Sequence, residues 1–383
     1  MAVVMFLYNQ TGSTTLATTV TLLNIASRMI SGIVLPTMSD RFSLTTLLKI
    51  SQVIQLIFLL LLIFFLSQSF SLMMLILLMF VMAIIAFFNG YFSPIKSSLI
   101  KVIIPESDRV KANSLISSVD QTFLFAGWTL GGLMLALVGK EVTLGIAMFL
   151  IIVSIISLRF VKENKDTKVE SKANFITQIS AGWKYLFQHK GLRVMIVMDL
   201  IEGFVGTIWI GAVTLTYVNE ALGKSEAWWG YINGAYYFGT IIGGLLVYRL
   251  SIRMKGHLVF YMVVGSFLFG LLTFIYGFVS NALLALALVL LMGPSYQLRD
   301  LSQETLFQNS VNETILPKIM AAKAALIHFI FIISTVIIGL ITDVFGARFV
   351  YIFSGCFLMF SSLYGFVHLY IQKKGNSLES KAI

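Results

Sequence analysis

Charge is scarce in this sequence. Only 11% of its 383 residues are charged and 58% are hydrophobic, whereas soluble globular chains average about 25% charged and roughly 45–50% apolar residues. A water-exposed surface on a chain of this length requires more charge, and solvation by lipid removes that requirement. The composition therefore excludes an ordinary soluble protein and predicts a membrane protein.

Patterns typical of metal binding and catalysis are also absent from the sequence. The one cysteine, Cys356, lies within an apolar run and has no second cysteine for an intramolecular disulfide. There is no Walker motif for ATP. The histidines lack the spacing of a metal site; they are His189, His257, His328 and His368. We therefore expect no enzymatic activity, no metal and no cofactor.

Long apolar runs are abundant. A membrane-spanning helix needs about 20 mostly apolar residues, because hydrocarbon tolerates only a backbone that is hydrogen-bonded internally. Residues 1–8 are apolar but too short to span, and we interpret them as the end of a further helix whose first part is missing. The sequence thus predicts an all-α membrane protein with eleven full transmembrane helices and a truncated first helix. The eleven runs are 14–38, 47–67, 71–94, 113–138, 142–161, 193–217, 228–250, 257–278, 281–298, 317–341 and 347–371.

Lysine and arginine are distributed unevenly over the loops. Most of the 27 basic residues fall in loops on one side of the predicted membrane, and the opposite loops hold only Lys140, Lys224 and Arg348. Cytoplasmic loops carry an excess of Lys and Arg, so we predict that the central loop and the C-terminus are cytoplasmic. The predicted location is the plasma membrane, with lipid and not nucleic acid as the partner of the basic charge.

One long polar segment divides the chain. Residues 162–192 separate an N-terminal half, 1–161, from a C-terminal half, 193–372, and a short tail, 373–383, follows. The second part of the segment has apolar residues at helical spacing, which predicts an amphipathic helix in the cytoplasmic interface. A repeat relates the halves, since Lys111 and Lys318 each open the fifth helix of their half.

Two stretches resemble a known transporter family. FSPIKSSLIKVIIPESDRVKANSLISS, residues 92–118, is similar to the long loop between helices 4 and 5 of the macrolide-efflux and enterobactin-exporter branch of the major facilitator superfamily. LYNQTGSTTLATTV, residues 7–20, is similar to the first outer loop of that branch.

The resemblance implies a fold of two six-helix halves, a monomer, and export of a small amphipathic or hydrophobic compound such as a drug or macrolide, with antibiotic resistance as a consequence. Without an ATP site, the energy source is expected to be an ion gradient, here proton antiport. Other hypotheses remain: a dedicated siderophore or metabolite exporter, a lipid flippase of the same fold, or a truncated membrane protein that does not transport.

The same resemblance assigns roles to two motifs. Asp40 and Arg41 match the gate motif after the second helix, although Pro36 stands where the family has Gly. The resemblance implies that Asp40 bonds to the end of a neighbouring helix. The glycine-rich exporter motif of the fifth helix is matched by Gly127, Gly131 and Gly132.

Two carboxylates within the 193–217 run are the strongest candidates for a functional site. An ionisable side chain in a span costs about 2.5–3.5 kcal/mol on insertion scales, so its presence points to function. Asp199 and Glu202 lie one turn apart on one helix face. They repel each other when both are ionised, so one is expected to hold a proton near neutral pH, as proton coupling requires. The alternative is a purely structural pair.

Other polar residues in the spans are weaker candidates. Arg28 is expected to face the bundle interior, where it either pairs with Asp120 or Glu202 or binds an anionic substrate. Arg299, Asp300 and Glu304 follow the 281–298 run and are expected to be cytoplasmic, where they are either solvated or form a salt-bridge gate with the central loop. Residues that could line a substrate cavity are Asn89, Gln121, Tyr236, Tyr237 and Tyr296.

Four glycines of the 228–250 run form two pairs, each at four-residue spacing, a pattern that predicts close helix packing. They are Gly230, Gly234, Gly239 and Gly243.

Overall fold

The computed structural model describes residues 3, 14–68, 71–163, 175–209, 212–225 and 227–371, and every regular element within these ranges is helical. The long helices are α1 (Thr14–Ser39), α2 (Leu44–Leu66), α3 (Leu72–Asn89), α4 (Phe92–Ile103), α5 (Arg109–Ser157), α6 (Phe175–Gln188), α7 (Lys190–Gly206), α8 (Ala212–Glu220), α9 (Ala227–Met254), α10 (Leu258–Tyr276), α11 (Ala282–Ser310) and α12 (Leu316–Gly365). Short 3-10 turns cover Glu106–Asp108 and Thr207–Trp209, and a π-helical turn covers Phe366–Ile371.

The all-helical prediction is confirmed, and each predicted apolar run falls on helix. Among the described residues, seven helices are long and apolar enough to cross a membrane, or eight if the bent pair α7 and α8 is one span. The predicted total of eleven spans therefore stays a prediction. The truncated first helix lies outside the described residues, apart from Val3.

Two glycines divide the longest helices at the predicted turns. Gly139 in α5 has φ 77° and ψ 175°, and Gly346 in α12 has φ 79° and ψ 161°. Glycine adopts this region of backbone conformation, which side-chain-bearing residues avoid. Gly139 follows Lys111 by the same chain length as Gly346 follows Lys318. The turn glycines thus lie at matching positions of the predicted repeat.

The chain forms two compact units. The first comprises the described parts of Met1–Ile103, Ala126–Tyr185 and Asn312–Phe329, and the second those of Ile104–Phe125, Leu186–Val311 and Ile330–Ile383. Each unit therefore contains residues from both predicted halves of the sequence. The predicted domain boundaries themselves stay predictions.

The core of the second unit depends on close approach between α9 and α11. A Cβ on Gly243 would lie 2.6 Å from the Cα of Pro294, and one on Gly239 would collide with the main chain of Leu290. The packing prediction is thus confirmed for these two glycines. It is wrong for Gly230 and Gly234. Among the described residues, a Cβ on Gly230 would meet nothing within 4 Å, and one on Gly234 would lie 3.8 Å from a Phe125 ring atom.

Part of the expected loop 92–118 is helical. Residues Phe92–Ile103 form α4, with Pro94 in its first turn and the hydroxyl of Ser98 donating to the Pro94 carbonyl oxygen at 2.8 Å. A proline in the first turn does not break a helix, because the N–H groups of that turn have no partner within the helix. The resemblance to a loop therefore misassigned this segment.

Glu163, near the start of the long polar segment 162–192, has a structural role. Its carboxylate accepts hydrogen bonds from the N–H groups of Leu44 and Thr45 at 3.0 and 2.9 Å, and from the Thr45 hydroxyl at 2.8 Å. A carboxylate at a helix N-terminus stabilises the helix. The linker helix predicted further on is present as α6, and its place at a membrane interface stays a prediction.

Candidate functional site

A buried charge cluster joins α7 and α11 in the second unit. The guanidinium of Arg299 donates from Nη2 to Asp199 Oδ1 at 2.5 Å and pairs through Nε with Glu202 Oε2 at 2.7 Å. The side chains of Arg299, Asp199 and Glu202 are only 8%, 6% and 14% exposed. Asp300, whose side chain is 40% exposed, lies 3.7 Å from Arg299 Nη1. Arg299 therefore lies among three carboxylates.

Two hydroxyls complete the surroundings of Glu202. Its Oε1 accepts from Ser266 on α10 at 2.8 Å and from Ser361 on α12 at 2.9 Å. Gly265 allows this arrangement, because a Cβ there would lie 2.5 Å from the main-chain N of Arg299. The Glu202 carboxylate is thus held by side chains from three other helices, α10, α11 and α12.

Two carboxylates share one guanidinium in this cluster, since Asp199 and Glu202 both pair with Arg299. Two carboxylates this close together repel each other when both are ionised. A proton bound to one of them would relieve that repulsion.

The sequence reading missed Arg299. It was expected to be cytoplasmic beyond residue 298, either solvated or in a salt-bridge gate, but α11 continues to Ser310 and Arg299 is buried. Hydropathy identifies helix that faces lipid, and this half of α11 is polar because it is buried in protein. Its polar side chains at most 1% exposed are Gln297, Ser302, Gln303, Thr305 and Gln308. The absence of Gly and Pro from residues 299–310 was the signal available.

Four aromatic rings, which we call the ring set, lie beside the charge cluster. Ring centroids of Trp209 and Tyr236 are 6.4 Å apart, those of Tyr236 and Tyr296 6.2 Å, those of Tyr296 and Phe269 5.9 Å, and those of Phe269 and Trp209 6.5 Å. The four rings therefore form a closed circuit, and each is partly exposed. Tyr237 adjoins it, 5.9 Å from Tyr236.

A second aromatic group supports the ring set from behind. Tyr276 and Tyr351 lie 5.3 and 5.0 Å from Trp209, and Tyr217 stacks on Tyr276 at 4.5 Å. All three tyrosines are fully buried. The hydroxyl of Tyr217 donates to the carbonyl oxygen of Tyr276, and that of Tyr351 donates to the carbonyl oxygen of Ile208 at 3.1 Å. This group is a structural core.

The remaining sequence candidates lie elsewhere. Asp120 and Gln121 are half-buried in α5 of the second unit, and Asn89 is the last residue of α3 in the first. Arg28 is half-buried in α1, and its Nε has no hydrogen-bond partner among the described residues. Glu202, one of the two partners proposed for Arg28, is paired with Arg299. The roles proposed for these candidates stay predictions.

The gate motif makes a contact in the first unit. Asp40 Oδ2 accepts from Lys318 Nζ at 2.7 Å, and Lys318 lies in the first turn of α12. Gly182 of α6 packs against the main chain of Lys318, where a Cβ would collide with the carbonyl. Arg41 is exposed. The resemblance placed Asp40 against the end of a neighbouring helix, and the role of Asp40 and Arg41 as a gate stays a prediction.

The exporter-motif glycines do not form a packing surface that the structure describes. A Cβ added to Gly127 would meet nothing within 4 Å. Gly131 and Gly132 lie within α5, but their surroundings fall outside the described residues. Their role stays a prediction.

Comparison with known proteins decides the family. The sequence profile of the Major Facilitator Superfamily matches residues 1–297. The chain belongs to the Major Facilitator Superfamily. A relative in Bacillus subtilis (strain 168), the uncharacterized MFS-type transporter YfmI, is 47% identical over 98% of this chain and 93% of its own length. This transporter therefore acts in a membrane, and carriers of the family are generally not enzymes.

Further similarities agree. The uncharacterized MFS-type transporter YjbB of the same organism is 32% identical over 70% of this chain and 65% of its own length. Among solved structures, a bacterial homologue of the iron transporter ferroportin in an outward-facing state has a TM-score of 0.76 at 13% identity, covering 95% of this chain and 93% of that one. The similarity to the ferroportin homologue shows the fold of this transporter and nothing about its substrate.

Proposed function

We propose that the chain is a secondary active exporter of a small amphipathic or hydrophobic compound, such as a macrolide-like drug, across the bacterial cell membrane. Proton antiport with alternating access drives it, the basic loops face the cytoplasm, and a monomer suffices. The resemblance of residues 92–118 and of Gly127, Gly131 and Gly132 to exporters supports the outward direction. Family membership supports transport by movement of two halves about a central site.

The charge cluster carries the proposal of proton coupling. It brings two buried carboxylates together on one guanidinium, and their mutual repulsion favours the binding of a proton by one of them. When Glu202 or Asp199 binds that proton, its ion pair with Arg299 weakens. Because side chains from four helices meet at Glu202, the loss of this pair changes the contacts of α7 with α10, α11 and α12. A proton can thereby bias the equilibrium between two conformations.

The test is uphill transport in inside-out membrane vesicles, energised by respiration and offered a panel of macrolides and dyes. Wild-type protein should accumulate one of them, and an uncoupler should abolish the accumulation. Glu202→Gln keeps the side-chain size and the hydrogen bonds from Ser266 and Ser361 but cannot ionise. It should lose at least tenfold in uphill transport while still exchanging substrate down its gradient. Glu220→Gln, at an exposed helix end, is the matched control.

Each part of the proposal has its own contrary result. Accumulation that persists with an uncoupler would refute proton antiport. Uphill transport by Glu202→Gln at the wild-type rate would show that Glu202 is not the coupling residue. Retention of a siderophore inside a deletion strain, with no change in drug efflux, would show that the substrate is a dedicated metabolite and not a drug.

A further inference from the structure

Small residues bring α1 and the first half of α12 close together, and we call this contact the seam. A Cβ on Gly32 of α1 would lie 2.7 Å from the carbonyl oxygen of Ala321 and 3.3 Å from the Cβ of Ala325. At one end of the seam, Asp40 pairs with Lys318. All five residues belong to the first unit. The seam therefore joins the two halves of the sequence within that unit.

The seam continues to Arg28 and His328. Arg28 lies one turn before Gly32 on α1, and His328 lies one turn after Ala325 on α12, so each continues the face of its helix that forms the seam. The guanidinium of Arg28 is within electrostatic range of the imidazole of His328. At 1.5 Å per residue, His328 lies about 15 Å along α12 from Lys318. The seam thus has an ion pair at one end and two basic side chains at the other.

His328 is held in a form that can take up a proton. Its Nδ1 lies 2.6 Å from the main-chain carbonyl oxygen of Ala324. A carbonyl oxygen only accepts hydrogen bonds, so Nδ1 carries the hydrogen and Nε2 is the acceptor of the neutral ring. The side chain is half-buried. A proton can therefore bind at Nε2 without breaking the bond to Ala324.

The charges that surround His328 are positive. Arg28, on the facing helix, acts on the imidazole, and the Nε of Arg28 is buried without a hydrogen-bond partner. Lys323, five residues earlier on the same helix as His328, is also basic. Within the described ranges, no carboxylate acts on Arg28 or His328. A proton on His328 therefore places a second positive charge beside Arg28, and like charges repel more strongly away from bulk water.

Close packing on the other side of α1 limits how this repulsion is relieved. Gly90, between α3 and α4, faces α1 so closely that a Cβ on it would lie 2.8 Å from the Cβ of Ser31 and 3.2 Å from the Cα of Arg28. The backbone of Arg28 thus cannot retreat from α12 without displacing the corner at Gly90. Separation of α12 from α1 relieves the repulsion instead.

We propose that His328 is a second proton-binding residue of the transporter and that its protonated form opens the seam. With neutral His328, Gly32 packs against α12 and Asp40 pairs with Lys318. With protonated His328, repulsion from Arg28 favours separation of the two helices, and proton binding and opening favour each other. The inference adds a site to the proposed function, which places coupling at Glu202, and rests on that function only for the claim that opening is a step of transport.

The test is the distance between spin labels on the two sides of the seam, in the full-length protein in detergent with no gradient present. Labels are attached at Phe42→Cys and Thr314→Cys, two exposed positions of the first unit. A background of Cys356→Ser and Glu202→Gln leaves one labelled pair and removes the titration of Glu202. Double electron–electron resonance is measured at about pH 8 and about pH 5, between which histidine changes its charge. Acidification should raise the ratio of long to short distances about fivefold.

Variants locate the effect. His328→Asn keeps an N–H donor for the Ala324 carbonyl but binds no proton, so the short distance should predominate at both pH values. Arg28→Gln removes the fixed charge and should lose most of the opening, which tests the inference even where His328→Asn fails to fold. His257→Asn, at an exposed histidine, is the matched control and should open like the parent protein.

Three results would overturn the inference: no opening on acidification, opening that persists in both His328→Asn and Arg28→Gln, or a closer approach of the labels at low pH, which an anion held between two cations would produce. The proposed function fails separately. Opening that depends on His328, without uncoupler-sensitive transport, would leave the proton site standing and refute the coupled exporter. Coupled transport without any acid-induced opening would do the reverse.

Discussion

Arg299 holds together two carboxylates that would otherwise repel each other. Replacing it by Met removes the guanidinium that pairs with the buried Asp199 and Glu202, so Arg299→Met should lower the free energy of unfolding by about 3–5 kcal/mol. Thermal unfolding in detergent measures the loss. Arg253→Met, at an exposed position at the end of α9, should leave the midpoint unchanged.

A variant in which the whole charge cluster is neutral shows whether the stability lost in Arg299→Met comes from the lost charge or from the changed side-chain shape. A triple variant with Asp199→Asn, Glu202→Gln and Arg299→Met should recover most of the stability lost in Arg299→Met, because no buried charge then lacks a partner. If Arg299→Met unfolds at the wild-type temperature, the ion pairs do not stabilise the fold and the triple variant becomes uninformative about it.

At the scale of single residues, the sequence indicated about half of the charge cluster and of the ring set. Asp199 and Glu202 stand out because each is a charge within an apolar run. Arg299 does not, because the second half of α11 is shielded by protein and its sequence is polar. The ring set was seen only in part: Tyr236 and Tyr296 were candidates, whereas Trp209 and Phe269 are indistinguishable from ordinary apolar residues until the helices are packed.

At the scale of elements, Gly139 and Gly346 mark the helix boundaries that the sequence determines most clearly. Gly139→Ala forces a Cβ onto a backbone with φ 77° and ψ 175°, which should lower the free energy of unfolding by about 1–3 kcal/mol. Gly127→Ala is the control, since Gly127 lies within the helix and an added Cβ meets nothing. It should be neutral or stabilise by up to about 1 kcal/mol. Equal effects at both positions would contradict the argument.

Helix positions were easier to predict than helix ends. Apolar runs marked where helices lie, because the side chains that face lipid must be apolar in every membrane-spanning helix. α4 was taken for loop because its sequence resembles a loop of the exporter branch, and Pro94 is compatible with a helix because it lies in the first turn. The end of α11 was missed because burial in protein removes the hydropathy signal.

For the molecule as a whole, contacts within each unit connect the two sequence halves. In the first unit, Asp40 pairs with Lys318. In the second, the amide of Asn113 donates to Gln308 Oε1 at 2.8 Å and accepts from Gln308 Nε2 at 3.2 Å. On the proposed alternating-access mechanism, both contacts break and re-form in each transport cycle, because the halves that they join move against each other.

Cross-linking tests this. In a Cys356→Ser background, cysteines are paired at positions 40 and 318, or at 113 and 308. Joining a pair by a short bifunctional methanethiosulfonate, which forms a disulfide with each cysteine, should abolish transport, and a reductant that cleaves those disulfides should restore it. Cysteines at 52 and 154 are the control, because Gln52 donates to Ser154 at 2.7 Å within one half. Transport that continues with either test pair cross-linked would show that those contacts persist through the cycle.

The family and the helical class followed from composition, hydropathy and a local resemblance. The division into units did not, because Ile104–Phe125 and Asn312–Phe329 each pack with the opposite half. That exchange depends on contacts such as Asn113 with Gln308, residues 195 positions apart, and no local pattern in one sequence reports such a distant pair.

The polar second half of α11 bears on how the chain is made. An arginine that enters a bilayer alone is costly, yet Arg299 is synthesised 100 residues after Asp199, so its acceptors are already in the membrane when it leaves the ribosome. Chain order thus supplies a receiving site for a helix that is poorly suited to insert by itself. A circular permutant in which α11 is translated before α7 would lose this advantage, and its α11 would be prone to stall in the translocation machinery and to be degraded.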